Sequence, residues 1–254
     1  MTGSLVIVGV GPGDAAYTTP AASLALAEAT DLIGYGLYLD RVPQREGQTR
    51  HASGNRVEID RARHALELAA QGRRVAVVSG GDAGVFAMAA AIFEAVDAGD
   101  PAWRALDIRV EPGVTAMLAV AAEVGAPLGG DFCAISLSDN LKSWATVERR
   151  LRAAAEADFV ISLYNAKSLA RPHQLGAALD ILREVKAGDT VVLFVRAAGT
   201  AEARVTVTTL AEADPSIVDM RTLVMIGAST TRLIERDGAA LPWVYTPRSE
   251  RAPE

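Results

Sequence analysis

Two consecutive glycines and an aspartate, Gly80-Gly81-Asp82, follow a short run rich in β-branched residues at residues 75–78, with one serine between them. Such a run is typical of a buried parallel strand. Glycines at the carboxyl end of a strand let the chain turn sharply and let a ligand approach bare main chain. Asp82 is placed to cap a helix that begins near Gly84. The same residues could also form a tight turn without a ligand, so this segment alone leaves both interpretations open.

Two similar turns follow other predicted strands. The sequence Gly-Val-Gly-Pro-Gly-Asp at residues 9–14 comes after the run at residues 5–8, and Glu-Pro-Gly-Val-Thr-Ala at residues 111–116 comes after residues 107–110. We call residues 9–14, 79–84 and 111–116 the three glycine turns. Because ligands of open α/β sheets bind at the carboxyl ends of the strands, the turns predict a site along one sheet edge.

The first glycine turn differs from the dinucleotide-binding fingerprint. Asp14 occupies the position of the third glycine, where it would place a negative charge beside a phosphate. Pro12 lacks the amide that a diphosphate would need. The next predicted strand ends in Gly34-Tyr35-Gly36, without an acidic residue for a ribose. A nicotinamide cofactor is therefore disfavoured. The turn could still form a surface against which a flat molecule packs.

A basic segment at residues 41–64 contains six arginines and two histidines against three acidic residues, in a chain of net charge −6. Such a segment predicts an anion site. The alternative is a solvated loop followed by one charged helix face. Tyr35 and Tyr38, just before the segment, could line a flat ligand or pack beneath the neighbouring glycine turn.

The composition limits the class of protein. With 254 residues, half of them hydrophobic and few aromatic, the chain can build one large or two modest α/β domains. It has no apolar run that could span a bilayer and no signal-peptide pattern at its start, which predicts a cytoplasmic protein that does not enter a membrane. A single cysteine, Cys133, and no Cys/His cluster predict no metal site. The acidic balance argues against nucleic-acid binding.

Strand and helix patterns alternate along the chain. In the first half, helices are predicted over residues 20–29, 58–71, 84–98 and 117–124, between strands that would form a parallel sheet. The glycine-rich and proline-containing segment at residues 113–130 predicts a break, after which the alternation resumes. The fold class is therefore α/β, with two successive domains at residues 1–113 and 114–254.

In their order and spacing, the three glycine turns resemble those of the tetrapyrrole methyltransferases, which use S-adenosyl-L-methionine. The resemblance covers nearly the whole chain and narrows to the branch of that family that methylates C-17 of a reduced tetrapyrrole. The segments that narrow it are residues 33–40, 61–69, 136–141 with Trp144, 158–160, 164–165 and 246–248.

The resemblance implies an architecture and an activity. It implies a homodimer of two-domain chains with the cofactor in a cleft between the domains, and a polycarboxylate tetrapyrrole as the substrate. The reaction would convert precorrin-3B to precorrin-4 by methylation and ring contraction in cobalamin biosynthesis, with S-adenosyl-L-homocysteine as the second product. The implied cofactor contacts are Pro12, Gly80, Gly81, Asp82, Val85, Thr115, Ala116, Tyr164, Asn165, Ala198 and Gly199.

Substrate contacts follow partly from the resemblance and partly from charge. The resemblance places the macrocycle against the first glycine turn, which makes Gly11 a contact, and Tyr38 could line the same ligand. A substrate with several carboxylates would give the basic segment a use through Arg45, Arg50 and Arg56.

The chemistry divides into two parts. Methyl transfer to an electron-rich carbon requires alignment rather than a strong base, and such alignment is worth roughly 7–11 kcal/mol. Ring contraction starts from a hydroxylated C-20, and proton transfer at that oxygen would require a general acid or base. Asp139 and Asp14 are the catalytic candidates chosen here, with His51 and Lys142 as further ones, although each could instead be a capping or surface residue.

Other functions remain open at this point. A cobalt-containing substrate, another tetrapyrrole position or a diphthamide-forming reaction would share the three glycine turns. A non-catalytic nucleotide sensor belongs to a different class of protein. The number of separate turns favours an enzyme over a sensor.

Overall fold

The computed structural model describes residues 3–54 and 57–249. It separates into two compact units, Met1–Ala116 and Met117–Glu254. The sequence predicted the boundary slightly earlier, after Gly113. The whole third glycine turn falls within the first unit because Gly113 packs against main chain of the other two turns.

The first unit contains a five-stranded sheet in the order β3-β2-β4-β1-β5. All neighbouring strands are parallel, as the sequence predicted. The strands are β1 (Ser4–Gly9), β2 (Asp31–Tyr35), β3 (Thr49–Ser53), β4 (Arg74–Ser79) and β5 (Asp107–Glu111). This order makes β4, β1 and β5 neighbours, so the three glycine turns leave adjacent strands.

Strands β1, β2 and β4 are apolar in their central residues because both faces of the sheet are covered. Leu5 and Ile7 belong to one buried cluster and Val6 and Val8 to another, as expected from the alternation of side chains along a strand. The helices are α1 (Pro20–Glu28), α2 (Gly36–Leu39), α3 (Glu58–Ala70) and α4 (Met88–Ala98).

Helix α4 begins at Met88, so the predicted start near Gly84 is wrong. Phe86 has a φ of 52°, in the left-handed region, and Ala87 is extended. A helix cannot pass through such residues. The prediction that Asp82 caps this helix is wrong for the same reason, since the N-cap residue is Ala87 and it makes no side-chain capping bond.

The basic segment contains β3, a strand that the sequence analysis missed. Its sequence, Thr-Arg-His-Ala-Ser, has no run of large apolar residues, and its side chains range from half-buried to exposed. It is an edge strand that pairs only with β2. Edge strands give a weak sequence signal because packing requires few apolar residues of them.

The second unit has a mixed sheet in the order β10-β9-β11-β8-β7, in which only β7 and β8 pair in parallel. A second sheet joins β12, β13 and β6, strands of two or three residues that are too short to leave a periodic pattern. The strands are β6 (Gly125–Ala126), β7 (Phe132–Ser136), β8 (Val160–Tyr164), β9 (Val191–Arg196), β10 (Arg204–Thr209), β11 (Thr222–Ile226), β12 (Arg232–Ile234) and β13 (Trp243–Tyr245).

Helices α6 (Trp144–Glu156) and α7 (Gln174–Arg183) pack on the larger sheet of the second unit, and α5 (Ala116–Val124) follows the third glycine turn. One buried cluster joins α6, α7 and the sheet, and it includes Leu151, Leu179 and Phe194. Among the residues that the structure describes, no helix is long and apolar enough to cross a membrane.

A buried carboxylate ties the start of β2 to its neighbours. Asp31 is 1% exposed and accepts hydrogen bonds from Arg73 at 2.7 and 3.0 Å and from the Thr30 hydroxyl at 2.7 Å. His51 Nε2 lies 3.0 Å from Oδ1 of the same carboxylate. Burial alone would raise the pKa of Asp31, but the hydrogen bonds from Arg73, His51 and Thr30 outweigh it and hold the pKa at about 2.

We expect the Asp31→Asn variant to lose about 2 kcal/mol of unfolding free energy at pH 7, because the pKa of the natural side chain falls from 3.8 to about 2 on folding. A lowered pKa stabilises the fold above pH 4, and this stabilisation disappears as the pH falls from about 4 to about 2. Urea unfolding at several pH values measures the difference. A gap between the two proteins that stays constant from pH 7 to pH 2 would contradict this assignment.

Candidate functional site

The three glycine turns of the first unit meet at the carboxyl edge of its sheet. The first and second turns form a two-bond bridge: the Gly11 amide donates to Gly81 O at 3.0 Å, and the Gly81 amide donates to Gly11 O at 2.8 Å. The Val10 amide donates to Ser79 O at 3.0 Å. The predicted convergence of the turns on one edge is therefore present in the structure.

The contact among the turns is so close that it requires glycine. A Cβ on Gly113 would lie 2.3 Å from Gly81 O and 2.7 Å from Gly9 O. A Cβ on Gly9 would lie 2.7 Å from the Gly113 nitrogen. These neighbours are main-chain atoms, which cannot rotate away as a flexible side chain could. Each turn therefore supplies one glycine to a contact between backbones.

Asp82 joins the second and third turns. Its Oδ1 accepts from the Gly84 amide at 2.8 Å, and its Oδ2 accepts from the Gly113 amide at 2.9 Å. The side chain thus satisfies two main-chain donors in two different turns. Its role within the described structure is to hold turns together rather than to cap α4.

Tyr38 contacts the second glycine turn, and Arg41 donates hydrogen bonds to the first. The Tyr38 ring packs so closely on Gly80 that a Cβ there would lie 2.6 Å from two ring carbons. Arg41 Nη2 donates to Val10 O at 3.0 Å and to Gly11 O at 3.1 Å. Burial raises the pKa of Tyr38. Of the two interpretations of Tyr38, packing beneath a glycine turn describes its observed contacts.

Main-chain groups of the second turn stay available to a ligand. Among residues 3–54 and 57–249, neither the amide nor the carbonyl of Gly80 has a hydrogen-bond partner. At Gly81, where φ is 65°, a Cβ would approach no atom closer than 3.8 Å, so the space beside it is open. Pro12 and Ala116 in the turns, and Val85 directly after the second turn, are half-buried. The arrangement fits a ligand that is held largely by main chain.

In the second unit, two further predicted cofactor residues make hydrogen bonds to neighbouring elements. The Tyr164 hydroxyl accepts from the Met117 amide at 3.0 Å, at the beginning of α5. Asn165 has a φ of 53°, and its Nδ2 donates to Ser136 Oγ at 2.9 Å. Both residues stand at the carboxyl end of the parallel pair β7 and β8.

The loop after β9 is shaped by a residue that sequence reasoning missed. Ala197 and Gly199 both have positive φ, 53° and 73°. The Gly199 amide donates to Glu123 Oε1 at 3.2 Å, and the Thr200 hydroxyl donates to Ala197 O at 2.8 Å. Glu123 lies on α5, many residues away in sequence, so only the fold could reveal this contact.

The four acid–base candidates have different environments. Asp14 is exposed and accepts from the Ala16 amide at 2.8 Å, which caps a short 3-10 helix. The two ring nitrogens of His51 lie near Asp31 and His64. Half-buried Asp139 accepts from Gln174 at 3.3 Å through Oδ2. Burial and then the nearby charge of Arg150 lower the pKa of Lys142.

Arginines of the basic segment donate mainly to the protein itself. Arg50 donates to Leu39 O at 2.7 Å and to Val42 O at 2.6 Å. Arg61 is buried and donates to Ser53 Oγ at 2.9 Å. Arg45 is exposed, and Arg56 lies outside the described residues. The predicted substrate contacts Arg45, Arg50 and Arg56 therefore stay a prediction.

The chain is similar to known proteins over most of its length. The family of Tetrapyrrole (Corrin/Porphyrin) Methylases matches residues 4–214. Precorrin-3B C(17)-methyltransferase of a Sinorhizobium species is 56% identical over 248 residues, which cover 98% of this chain and 97% of that protein. A probable cobalt-factor III C(17)-methyltransferase of Salmonella typhimurium is 41% identical over 246 residues, covering 95% and 99%.

The fold has a solved counterpart as well. The crystal structure of the methyltransferase CobJ matches with a TM-score of 0.91 at 52% identity, covering 96% of this chain and 100% of that one. The chain belongs to the tetrapyrrole methylase family and has its fold, as the sequence resemblance predicted. It is therefore a methyltransferase by family.

We expect the Asp82→Asn variant to lose the bond to the Gly113 amide or the bond to the Gly84 amide, since a carboxamide has one acceptor oxygen. Hydrogen bonds to a charged group are worth about 1.5–3 kcal/mol, so the melting temperature should fall by several degrees. Amide exchange at residues 84 and 113, followed by mass spectrometry or NMR, should be faster at one position or both. Unchanged exchange at both amides would show that Asp82 does not join the turns.

Proposed function

We propose that this methyltransferase uses S-adenosyl-L-methionine to methylate C-17 of precorrin-3B, with ring contraction to precorrin-4, in cobalamin biosynthesis. The observation that supports it most strongly is 56% identity, over nearly the full length of both chains, to a protein named for this reaction. The converging glycine turns support a ligand held by main chain at the predicted place.

The described residues fit S-adenosyl-L-methionine. Bound there, it would supply an electrophilic methyl group. The unpartnered Gly80 amide and carbonyl and the open space beside Gly81 would hold polar edges of an adenosine without a phosphate site. The full proposed set remains Pro12, Gly80, Gly81, Asp82, Val85, Thr115, Ala116, Tyr164, Asn165, Ala198 and Gly199.

Within this set the residues have different roles. Asp82 acts by fixing the turns, because both of its oxygens already accept main-chain amides in the first unit. Tyr164 positions the start of α5 through its hydroxyl. The chain therefore contributes mostly rigid main chain, which suits a reaction that depends on aligning the acceptor carbon, the methyl group and the sulfur.

For ring contraction we propose Asp139 as the general acid or base at the C-20 oxygen, ahead of Asp14. Asp139 is half-buried in the loop after β7, and among the described residues only Oδ2 has a hydrogen-bond partner, which leaves Oδ1 available. Asp14 is exposed and already accepts from a main-chain amide. The occupied nitrogens of His51 make it a weaker candidate.

Two substrate proposals concern the first unit. Gly11 belongs to the first glycine turn, and Tyr38 packs against Gly80 of the second. The macrocycle is proposed to pack at these two turns. Arg45, Arg50 and Arg56 are proposed to meet substrate carboxylates, although Arg50 also holds two main-chain carbonyls. Unchanged tetrapyrrole KM after replacing all three arginines would remove them from the proposal.

One alternative substrate has specific support. The 41% identical relative from Salmonella typhimurium is named for cobalt-factor III, which contains the metal. The cobalt would belong to the substrate and not to the protein. The predicted homodimer and cytoplasmic location stay predictions, and light scattering of the purified protein tests the first.

The decisive experiment is mass spectrometry of the tetrapyrrole after incubation with S-adenosyl-L-methionine and precorrin-3B, beside the same reaction with cobalt-factor III. We expect the metal-free substrate to gain one methyl group and to show the absorption spectrum of a contracted ring. Methylation of cobalt-factor III alone would show that the substrate is the cobalt-containing form and not precorrin-3B. Methylation of neither, while S-adenosyl-L-homocysteine still raises the melting temperature, would retain the cofactor and discard both substrates.

We expect the Asp139→Asn variant to form ring-contracted product at least a hundredfold more slowly, in line with typical losses of a general acid or base. Methyl transfer, measured as mass gain in a single turnover, should change much less, because it needs no strong base. Asp131→Asn is the matched control, since Asp131 is exposed and directly precedes β7 in the same unit. Product formation at the natural rate would eliminate Asp139 as the catalytic group.

A further inference from the structure

Two loops of the second unit leave the same sheet edge. Residues 137–143 follow β7 and residues 165–173 follow β8, and the two strands are parallel neighbours. We call them the paired loops. Each carries a leucine that is almost fully open, since Leu141 is 90% exposed and Leu169 is 97% exposed. One exposed leucine is ordinary on a protein surface, but here two stand on connected loops.

Side-chain and main-chain bonds hold the paired loops in a defined shape. Arg171 Nη1 donates to Ser138 Oγ, which joins one loop to the other. Gln174, the first residue of α7, donates to Asp139 Oδ2 at 3.3 Å. Ser168 and Arg171 exchange two main-chain bonds of 3.0 and 3.2 Å, forming a tight turn with Leu169 near its tip.

The guanidinium of Arg171 lacks a counter-ion. Among the described residues it forms no ion pair, and its Nε is buried without a hydrogen-bond partner. Two other arginines of this unit are paired, Arg152 with Glu184 at 2.6 Å and Arg196 with Asp219 at 2.7 Å, whereas the exposed Arg149 and Arg150 form no ion pair among the described residues. A half-buried guanidinium without a carboxylate partner can pair with a negatively charged group of a ligand.

The paired loops are continuous with a proposed cofactor residue. Ser136 Oγ accepts from Asn165 Nδ2 at 2.9 Å and from the Ser138 amide at 3.3 Å. Ser138 is in turn the partner of Arg171. A chain of hydrogen bonds through Ser138 and Ser136 therefore links Arg171, and any ligand group that binds it, to Asn165.

We propose that the paired loops recognise the tetrapyrrole substrate, with Arg171 binding one of its carboxylates and Leu141 and Leu169 covering the apolar macrocycle. This inference rests on the proposed function, because it assumes a flat apolar ring that carries carboxylates. A planar guanidinium suits carboxylate recognition, and a ligand site typically combines apolar surface with a few placed polar groups. The surface belongs to the second unit and contains none of Arg45, Arg50 and Arg56.

The test compares the natural chain with Arg171→Gln, Arg171→Lys and the control Arg149→Gln, whose arginine is exposed on α6. Uroporphyrin III, a stable polycarboxylate porphyrin, serves as the binding probe by fluorescence quenching. The tetrapyrrole KM is measured with precorrin-3B. Calorimetric binding of S-adenosyl-L-homocysteine and thermal melting report on the cofactor site and on folding.

We expect Arg171→Gln to raise the precorrin-3B KM and the uroporphyrin III Kd by roughly tenfold to a hundredfold, the effect of losing a hydrogen bond between charged groups. The kcat, the S-adenosyl-L-homocysteine affinity and the melting temperature should stay unchanged. Arg171→Lys should recover part of the loss, and Arg149→Gln should match the natural chain. Leu169→Ser, at a site too exposed to affect folding, should raise the tetrapyrrole KM by about threefold to tenfold.

The outcomes separate this inference from the proposed function. Methylation of precorrin-3B with an unchanged KM in Arg171→Gln and Leu169→Ser would overturn the inference and leave the function standing. Arg171-dependent binding of uroporphyrin III without methylation of any tetrapyrrole would support the surface and overturn the function. Absence of both methylation and porphyrin binding in the natural chain would overturn both. Loss of a dimer in either variant, with porphyrin binding intact, would identify the surface as a contact between copies and overturn the inference.

Discussion

The contact among Gly9, Gly81 and Gly113 is the constraint on which the first unit depends. The sheet order places β4, β1 and β5 side by side, so the turns that follow them must occupy the same small volume. Main chain meets main chain there at distances that exclude any side chain. Gly9 and Gly113 therefore have one common cause, which is the close approach of main chain, whereas Gly81 meets the same contact with a positive φ of 65°.

Polar side chains stabilise this contact instead of forming a charged ligand pocket. Asp82 bonds the second turn to the third, and Arg41 holds two carbonyls of the first. Two further arginines of the basic segment, Arg50 and Arg61, also donate to nearby protein acceptors. An excess of arginine in the sequence thus reflects internal hydrogen bonding as well as any attraction for an anionic substrate.

The chemistry proposed for this family member agrees with such a construction. A methyl group bound to a sulfonium is already electrophilic, so the protein mainly has to fix positions. Rigid turns with free main-chain groups can do this without a catalytic triad or a metal. Recognition of a polycarboxylate substrate also requires positively charged groups. Arg171 of the second unit is held in place by Ser138, and within the described structure its guanidinium has no carboxylate partner.

The sequence by itself determined the α/β class, the parallel direction of the strands in the first sheet and the three glycine turns, because apolar runs and glycines at strand ends are local signals. It also carried the family resemblance. It could not reveal β3, whose edge position requires little apolar sequence, or the start of α4, which depends on the left-handed backbone of Phe86. Only the tertiary structure showed that Asp82 bonds Gly113, that Glu123 holds Gly199 and that Arg171 meets Ser138. These partners are distant in sequence, and hydrogen-bond geometry between distant residues is decided when the strands take their places in the sheet.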